Sequence, residues 1–218
     1  MNMNEHYDDY RPLRKTWSLS DRIYEFYDQH IVDQDHVKTL MTKVLSDIHQ
    51  DFNYLSEKPL SVLFFKGPTG VGKTETVKQT AELLFGDKMG FVHVSCEQLR
   101  MEHEWSATLF GAPAGYIGYD KKPLLHPDHV YGPWHTSLNR KKLHKIAASK
   151  YEMSIILFDE VEKMHPKTLQ SLLSLMDEGM VKLKSGTMVD LRNSLIIFTS
   201  NVGESLADCF SRQSEKPT

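Results

Sequence analysis

Residues 67–74 read Gly-Pro-Thr-Gly-Val-Gly-Lys-Thr, and they are the strongest indication of the fold class. It matches the phosphate-binding loop pattern G-x-x-x-x-G-K-[ST], in which backbone N–H groups form a nest around phosphate oxygens. Glycine suits such a loop because it adopts positive φ and lets the backbone approach a ligand closely. We expect Lys73 to reach the β and γ phosphates of a nucleotide and the Thr74 hydroxyl to ligate Mg²⁺. The loop therefore predicts a nucleotide-binding protein.

The segments on either side of this loop are the ones that phosphate binding requires. Residues 60–66 are predicted to form a buried strand, and residues 73–84 a helix that ends at Gly86. The N-terminus of that helix adds partial positive charge next to the loop. A chance glycine-rich turn is the alternative interpretation, but it does not explain why the motif falls between an apolar strand and a helix.

Strands and helices alternate along most of the chain. Apolar runs predict strands at 91–95, 155–158 and 195–199, and helical periodicity predicts helices from Ser20, over 37–48 and over 167–176. This alternation predicts an α/β fold of the P-loop NTPase type, with a parallel sheet sandwiched by helices. Residues 180–191 have a Ser-Gly turn between two short alternating runs, which predicts a β-hairpin inserted before the last strand.

Acidic residues follow the strand predicted at 155–158. Asp159 and Glu160 come directly after this apolar run, at the sheet edge where α/β proteins place their chemistry. Asp159 is a candidate for holding Mg²⁺, and Glu160 for orienting or deprotonating an attacking water. Asn201, after the last strand, is a candidate for positioning that water or contacting the γ phosphate. The alternatives are a solvated acidic turn and an ordinary loop asparagine.

Composition excludes several classes of protein. The chain has 218 residues, a net charge of −3 and only two cysteines. Its apolar runs, such as 62–65, are too short to span a bilayer, and residues 1–10 are too polar for a secretory signal. The low cysteine content is typical of a reducing compartment, so we predict a cytoplasmic protein without a membrane partner. The slightly acidic charge argues against a protein built mainly to coat nucleic acid.

The motifs together resemble an AAA+ ATPase, and most closely the C-terminal ATPase module of Clp-type unfoldases and disaggregases. The resemblance covers roughly residues 30–203 and rests on four stretches in the family's order, namely 67–75, 111–119, 157–166 and 189–203. It implies the large αβα subdomain of the AAA+ fold, with ATP and Mg²⁺ as cofactors. The implied nucleotide-binding residues are Gly67, Pro68, Thr69, Gly70, Val71, Gly72, Lys73, Thr74, Glu75, Ile31 and Val32.

The resemblance also assigns roles outside the phosphate loop. It implies that Thr74 and Asp159 hold the metal ion, and that Glu160, Lys73 and Asn201 are catalytic, with Asn201 as the sensor residue. Ile31 and Val32 match the segment that lies over adenine, although Asp33 stands where the family usually has glycine. Residues 115–118, Gly-Tyr-Ile-Gly, resemble the pore loop, whose aromatic residue, here Tyr116, grips a translocating polypeptide. A glycine-rich surface loop with a packed tyrosine is the alternative.

The chain departs from the family in two places. Residues 121–150 are longer than the family's short link and are predicted to be an insertion, with His126 and His129 as a weak metal alternative and a basic cluster at 140–150. After Asn201 only a polar tail remains, so the family's arginine finger and helical lid are not expected here. We therefore divide the chain into a polar tail at 1–17, the ATPase subdomain at 18–203 and a polar tail at 204–218.

These expectations lead to one main function and two alternatives. The main hypothesis is an ATP hydrolase that couples turnover to polypeptide remodelling in a ring, either as a homo-oligomer or with a longer partner that supplies the lid and arginine finger. Alone, such a chain is expected to hydrolyse ATP slowly, because an arginine finger contributes about 10³–10⁵ in rate. The alternatives are a nucleotide-binding regulatory module or fragment, and a nucleic-acid motor or loader on the same scaffold.

Overall fold

The computed structural model describes residues 18–50, 57–101, 104–116, 118–131 and 153–201. Within these ranges the helices are α1 Leu19–His30, α2 Asp35–His49, α3 Lys73–Phe85, α4 Trp105–Phe110, α5 Pro127–Val130 and α6 Pro166–Glu178. The strands are β1 Ser61–Lys66, β2 Val92–Ser95, β3 Ser154–Asp159, β4 Met180–Lys182, β5 Met188–Asp190 and β6 Ser194–Ser200. Short 3₁₀ turns follow β2 at Cys96–Leu99 and β3 at Val161–Lys163.

The main sheet has the strand order β1-β6-β3-β2, and every neighbouring pair is parallel. β6 therefore lies between the strand that precedes the glycine-rich loop and the strand that ends in Asp159. The register pairs Lys66 with Ser200 and Phe158 with Phe198, which places the carboxyl ends of β1, β3 and β6 at one edge. The predicted α/β fold with a parallel sheet is confirmed.

Side chains that alternate along the strands supply two cores, one on each face of the sheet. Leu157 and Ile197 face the core formed with α1, α2 and α3. Phe158 and Phe198 face the other core, where their rings stack with centroids 5.1 Å apart. Because successive residues of a strand point to opposite faces, a sheet covered on both sides requires strands that are buried on both faces, and every residue of β6 is buried.

The helix ends follow local chemistry. Ser18 and Asp21 form a capping box at the start of α1, with side chain and backbone bonding reciprocally. α3 begins after Gly72 and is followed by Gly86, which caps its C-terminus with the left-handed backbone that suits glycine. His165 caps α6 by accepting a hydrogen bond from the backbone N–H of Lys167. These ends fix where α3 and α6 start relative to the carboxyl edge of the sheet.

The predicted hairpin is present, with β4 and β5 antiparallel and Val181 paired with Val189. The described part of the stretch between β2 and β3 contains α4 and α5, and the sequence patterns predicted neither helix. Of the predicted insertion at 121–150, residues 132–150 lie outside the described residues. So do both predicted tails and the basic cluster. Among the described helices, none combines the length and apolar character that crossing a bilayer demands.

Candidate functional site

A cavity of about 360 Å³ opens at the carboxyl edge of the sheet. Its lining consists mostly of residues that the sequence predicted, namely Thr69, Gly70, Gly72, Lys73, Thr74, Glu75, Asp159, Glu160 and Asn201, together with Lys78. The phosphate loop, the acidic end of β3 and the residue after β6 thus meet around one space. Lys78 was missed by the sequence analysis, although its position one helical turn after Thr74 could have indicated it.

The glycine-rich loop is open towards this cavity. Gly70 and Gly72 have φ values of 87° and 93°, and a Cβ built on either would meet no atom within 4 Å. Lys73 Nζ donates to the backbone oxygens of Gly67 at 2.7 Å and Pro68 at 2.8 Å. It also donates to Asn201 Oδ1 at 2.9 Å. The loop therefore leaves space in front of its backbone and keeps its lysine folded against its own carbonyls.

Asp159 lies at the centre of a group of donors from three elements. Its carboxylate accepts hydrogen bonds from the hydroxyls of Thr199 and, at 3.4 Å, Thr74. His93 Nε2, on the neighbouring strand β2, lies 3.2 Å from Asp159 Oδ2. The hydrogen bond with His93 is the largest cause that lowers the pKa of Asp159 below its ordinary value, and the Thr199 bond adds to it. The carboxylate is therefore ionised throughout the neutral pH range.

The pair of Thr74 and Asp159 fits Mg²⁺. Both present hard oxygen ligands, and Mg²⁺ usually takes one or two protein oxygens and completes its octahedron with water and phosphate. Their oxygens are 3.4 Å apart, close to the roughly 3 Å between adjacent ligands of a small octahedral ion. Thr199 donates to Asp159 Oδ1, and His93 shares Oδ2 with Thr74, so both residues hold the carboxylate in place, as residues behind a metal ligand commonly do.

Glu160 has an unusual backbone and a fully engaged side chain. Its φ of 61° is left-handed, and its backbone N–H donates to Thr199 Oγ1 at 3.0 Å. Its Oε1 accepts from Asn201 Nδ2 at 2.7 Å, and its Oε2 lies 2.7 Å from Lys163 Nζ. Asn201 thus bridges Lys73 and Glu160 through the two ends of one amide. The Glu160 carboxylate raises the pKa of the Lys163 ammonium above its ordinary value.

The proposed adenine segment lies beside a second, smaller cavity of about 250 Å³. That cavity is formed by α2, β1 and the phosphate loop, including Val71, and its lining includes neither Ile31 nor Val32. Ile31 is buried in the core and Val32 is 86% exposed. Asp33 has a φ of 55°, so it adopts the left-handed backbone for which the family's glycine is suited. Contact of these residues with adenine stays a prediction.

The predicted pore loop presents its aromatic residue to solvent. Tyr116 is 70% exposed, and Gly115 and Gly118 have φ values of 87° and 88°. Ile117 lies outside the described residues. The alternative of a packed tyrosine does not match this exposure.

His126 and His129, the alternative metal ligands, each use a ring nitrogen in a hydrogen bond to nearby backbone. His126 Nδ1 accepts from the Asp128 backbone N–H, and His129 Nδ1 donates to the Pro123 oxygen. Across the described ranges, no group of three or more His, Cys, Asp and Glu side chains is arranged to hold a metal ion.

Comparison with known proteins places this arrangement in a family. The family model described as AAA domain (Cdc48 subfamily) matches residues 58–217. A chaperone protein ClpB from Aquifex aeolicus is 34% identical over 191 residues, 88% of this chain and 16% of that protein. The ClpB of Bdellovibrio bacteriovorus is 34% identical over 85% of this chain and 19% of its own length. The ClpB of Nitratidesulfovibrio vulgaris is 40% identical over 67% of this chain and 15% of its own length.

These matches define what the chain is similar to and how far the similarity extends. The chain spans between 15% and 19% of the length of these three relatives, so it corresponds to one part of such a protein. The family match includes the loop, the acidic end of β3 and Asn201, which are the residues that the structure brings to one cavity. The chain belongs to the AAA domain family (Cdc48 subfamily), as a Clp-type AAA+ ATPase module.

Proposed function

We propose that this chain binds ATP with Mg²⁺ in the cavity at the carboxyl edge of the sheet and hydrolyses it to ADP and phosphate. One observation carries the proposal. Lys73, Asn201 and Glu160 form a continuous hydrogen-bonded row, at 2.9 and 2.7 Å, along one wall of the cavity. Lys73 supplies a cation for phosphate oxygens, Asn201 a neutral amide, and Glu160 a carboxylate for water. Their order along the wall is the one that hydrolysis of a terminal phosphate needs.

Binding replaces contacts that the loop now makes with itself. Phosphate oxygens would accept hydrogen bonds from the loop N–H groups and from Lys73. To reach them, Lys73 Nζ would break its hydrogen bonds to the carbonyls of Gly67 and Pro68. Thr74 and Asp159 would hold Mg²⁺, which neutralises charge on the phosphates when it is bound. Glu75 and Lys78 complete the lining near the start of α3. We assign Ile31 and Val32 to the adenine side because they precede α2, which lines the second cavity.

Glu160 and Asn201 act on the attacking water. Glu160 would accept a proton from water, and Asn201 would orient that water or the γ phosphate. The position of Asn201 supports this role, because its amide already contacts both Lys73 and Glu160. Strained, left-handed backbone at a non-glycine residue is common at functional sites, and Glu160 has it.

We further propose that turnover is coupled to polypeptide remodelling in a ring. The relatives named chaperone protein ClpB support the class of client, and exposed Tyr116 between two glycines supports a gripping role. An aromatic ring offers a large contact area that tolerates many sequences. The other subunits would be copies of this chain or a longer partner chain.

The test measures ATP binding and hydrolysis by the full chain with Mg²⁺ at several protein concentrations. We expect binding that depends on Mg²⁺, and a specific activity that rises with concentration because subunits complete each other's sites. Binding without any turnover at all concentrations would contradict hydrolysis by this chain and favour a regulatory nucleotide-binding module. Salt-sensitive DNA binding that stimulates turnover would favour a nucleic-acid motor.

A further inference from the structure

Lys163 contacts Glu160 as closely as Asn201 does. Its Nζ lies 2.7 Å from Glu160 Oε2, whereas Asn201 Nδ2 donates to Oε1 at the same distance. Each oxygen of the Glu160 carboxylate therefore has its own donor. The lysine side chain is 40% exposed and that of Glu160 33% exposed, so the pair sits at the rim of the cavity.

The backbone places this lysine on the same side as Glu160. Val161–Lys163 form a 3₁₀ turn that Glu160 caps, and Lys163 N–H donates to the Glu160 carbonyl at 2.9 Å. Glu160 precedes Lys163 by three residues at the start of this turn, and the 2.7 Å contact shows that the ammonium group reaches its carboxylate. A 2.9 Å bond from His165 N–H to the Leu99 carbonyl ties this turn to the one after β2.

Glu97, on that second turn, gives Lys163 another acceptor. Glu97 Oε2 lies 3.9 Å from Lys163 Nζ, on the longer side of the ion-pair range. Lys163 Nζ is thus much closer to Glu160 than to Glu97, and Glu160 is its main partner. Ion pairs this exposed contribute little to stability, so we expect the fold to tolerate the loss of this contact.

The contact between Lys163 and Glu160 gains a function from what happens to Asn201 during the reaction. Its amide oxygen accepts from Lys73, which has to move when phosphate enters the loop. If Asn201 follows the phosphate, its bond to Glu160 Oε1 weakens, and Lys163 becomes the side chain that still holds the carboxylate. A general base must be held within hydrogen-bonding reach of its water, and an error of about 1 Å can lower a rate by about 10²-fold.

We propose that Lys163 is a positioning residue for ATP hydrolysis, which keeps the Glu160 carboxylate aimed into the cavity through its bond to Oε2. This inference rests on the proposed function. It predicts an effect on the hydrolytic step and none on nucleotide binding, because Lys163 is not among the residues that line the cavity.

The experiment compares the full chain with Lys163→Met, Lys163→Arg and Lys58→Met. Lys58 is the matched control, because it also forms an exposed ion pair, with Asp177 at 2.9 Å. Lys58 precedes the amino end of β1, away from the carboxyl edge of the sheet. Equilibrium titration with Mg²⁺ and ATP gives the affinity. Single-turnover hydrolysis, with protein in excess over ATP labelled on the γ phosphate, gives the rate of the chemical step even where it is slow.

We expect Lys163→Met to bind ATP within about twofold of the parent and to hydrolyse it about tenfold to hundredfold more slowly. Lys163→Arg, which keeps a cation, should recover most of the rate, and Lys58→Met should match the parent. A parental rate in Lys163→Met, or an arginine variant as slow as the methionine variant, would overturn the positioning role. Loss of binding together with rate would also overturn it, since that indicates a structural role.

The same data separate this inference from the proposed function. If the parent itself shows no hydrolysis above a protein-free blank, the proposed hydrolysis fails, and the role of Lys163 falls with it. If the parent hydrolyses ATP and Glu160→Gln does not, while Lys163→Met matches the parent, only the inference fails.

Discussion

The amino and carboxyl ends of strands β1, β3 and β6 differ in their chemistry. At their amino ends, β3 and β6 begin with serines whose buried hydroxyls bond to each other at 2.8 Å. The adjoining backbone groups are paired as well, with Ser154 N–H donating to the Asn193 carbonyl and Leu60 N–H to the Ser194 carbonyl. At their carboxyl ends the same strands lead into Lys73, Asp159, Glu160 and Asn201 around an open cavity.

This difference separates residues that hold the fold from residues kept for a ligand. Neutral hydroxyls that satisfy each other are stable in a buried position and need no further partner. Charged groups that are part exposed stabilise a fold only weakly, and each is held here next to open space. We therefore expect changes at the carboxyl end to alter binding and turnover, and changes at the amino end to alter the free energy of unfolding.

Glu160→Gln tests the carboxyl end with the largest expected effect. An amide of the same shape cannot accept the proton of water at neutral pH, so turnover should fall by about 10²–10⁴-fold. The Asn201 contact can persist, because the glutamine oxygen still accepts a hydrogen bond. ATP affinity and the melting temperature should stay close to those of the parent. Hydrolysis at the parental rate would remove Glu160 from the mechanism.

His93→Ala sharpens the same comparison with a smaller effect. His93 lies on the edge strand β2 and holds the carboxylate that we assign to Mg²⁺. Removing a residue that orients a metal ligand typically lowers metal affinity by about 10–100-fold. The Mg²⁺ concentration for half-maximal ATP binding should rise, whereas His49→Ala, at the end of α2, should leave it unchanged. An unchanged Mg²⁺ requirement in His93→Ala would place the metal elsewhere.

Ser154→Ala tests the amino end. It leaves the Ser194 hydroxyl, which is 1% exposed, without its partner Ser154. A buried polar group without a partner costs about 1–3 kcal/mol, which corresponds to a fall of several degrees in melting temperature for a chain of this size. Thermal unfolding should show this fall, while ATP binding to the folded protein stays at the parental affinity. A variant with parental stability and weaker binding would reverse the comparison.

Much of the fold could be predicted from the sequence because its signals are local. The glycine pattern, the apolar runs and the Ser185-Gly186 turn each depend on neighbouring residues, and they gave the loop, the parallel sheet and the hairpin. The short helices α4 and α5 were missed, because they have 6 and 4 residues and show too few turns for helical periodicity.

The site could be predicted only where a motif names its residues. Lys73, Asp159 and Glu160 follow from patterns that place them at strand ends. His93, Thr199 and Lys163 act across strands or across a turn, so their contacts depend on the sheet register and on the left-handed backbone of Glu160. For His93 and Thr199 the sequence offered one signal, which is that each is a polar residue within a largely apolar strand.

Calorimetric titration of Mg²⁺ and ATP into the parent chain, Lys73→Ala and Ser154→Ala tests whether the carboxyl end of the sheet is the nucleotide site. Loss of a hydrogen bond from a charged donor should weaken ATP binding to Lys73→Ala by about tenfold to hundredfold, with an unchanged melting temperature. Ser154→Ala should bind like the parent although it melts earlier. Parental affinity in Lys73→Ala would contradict the claim that the carboxyl end of the sheet is the nucleotide site.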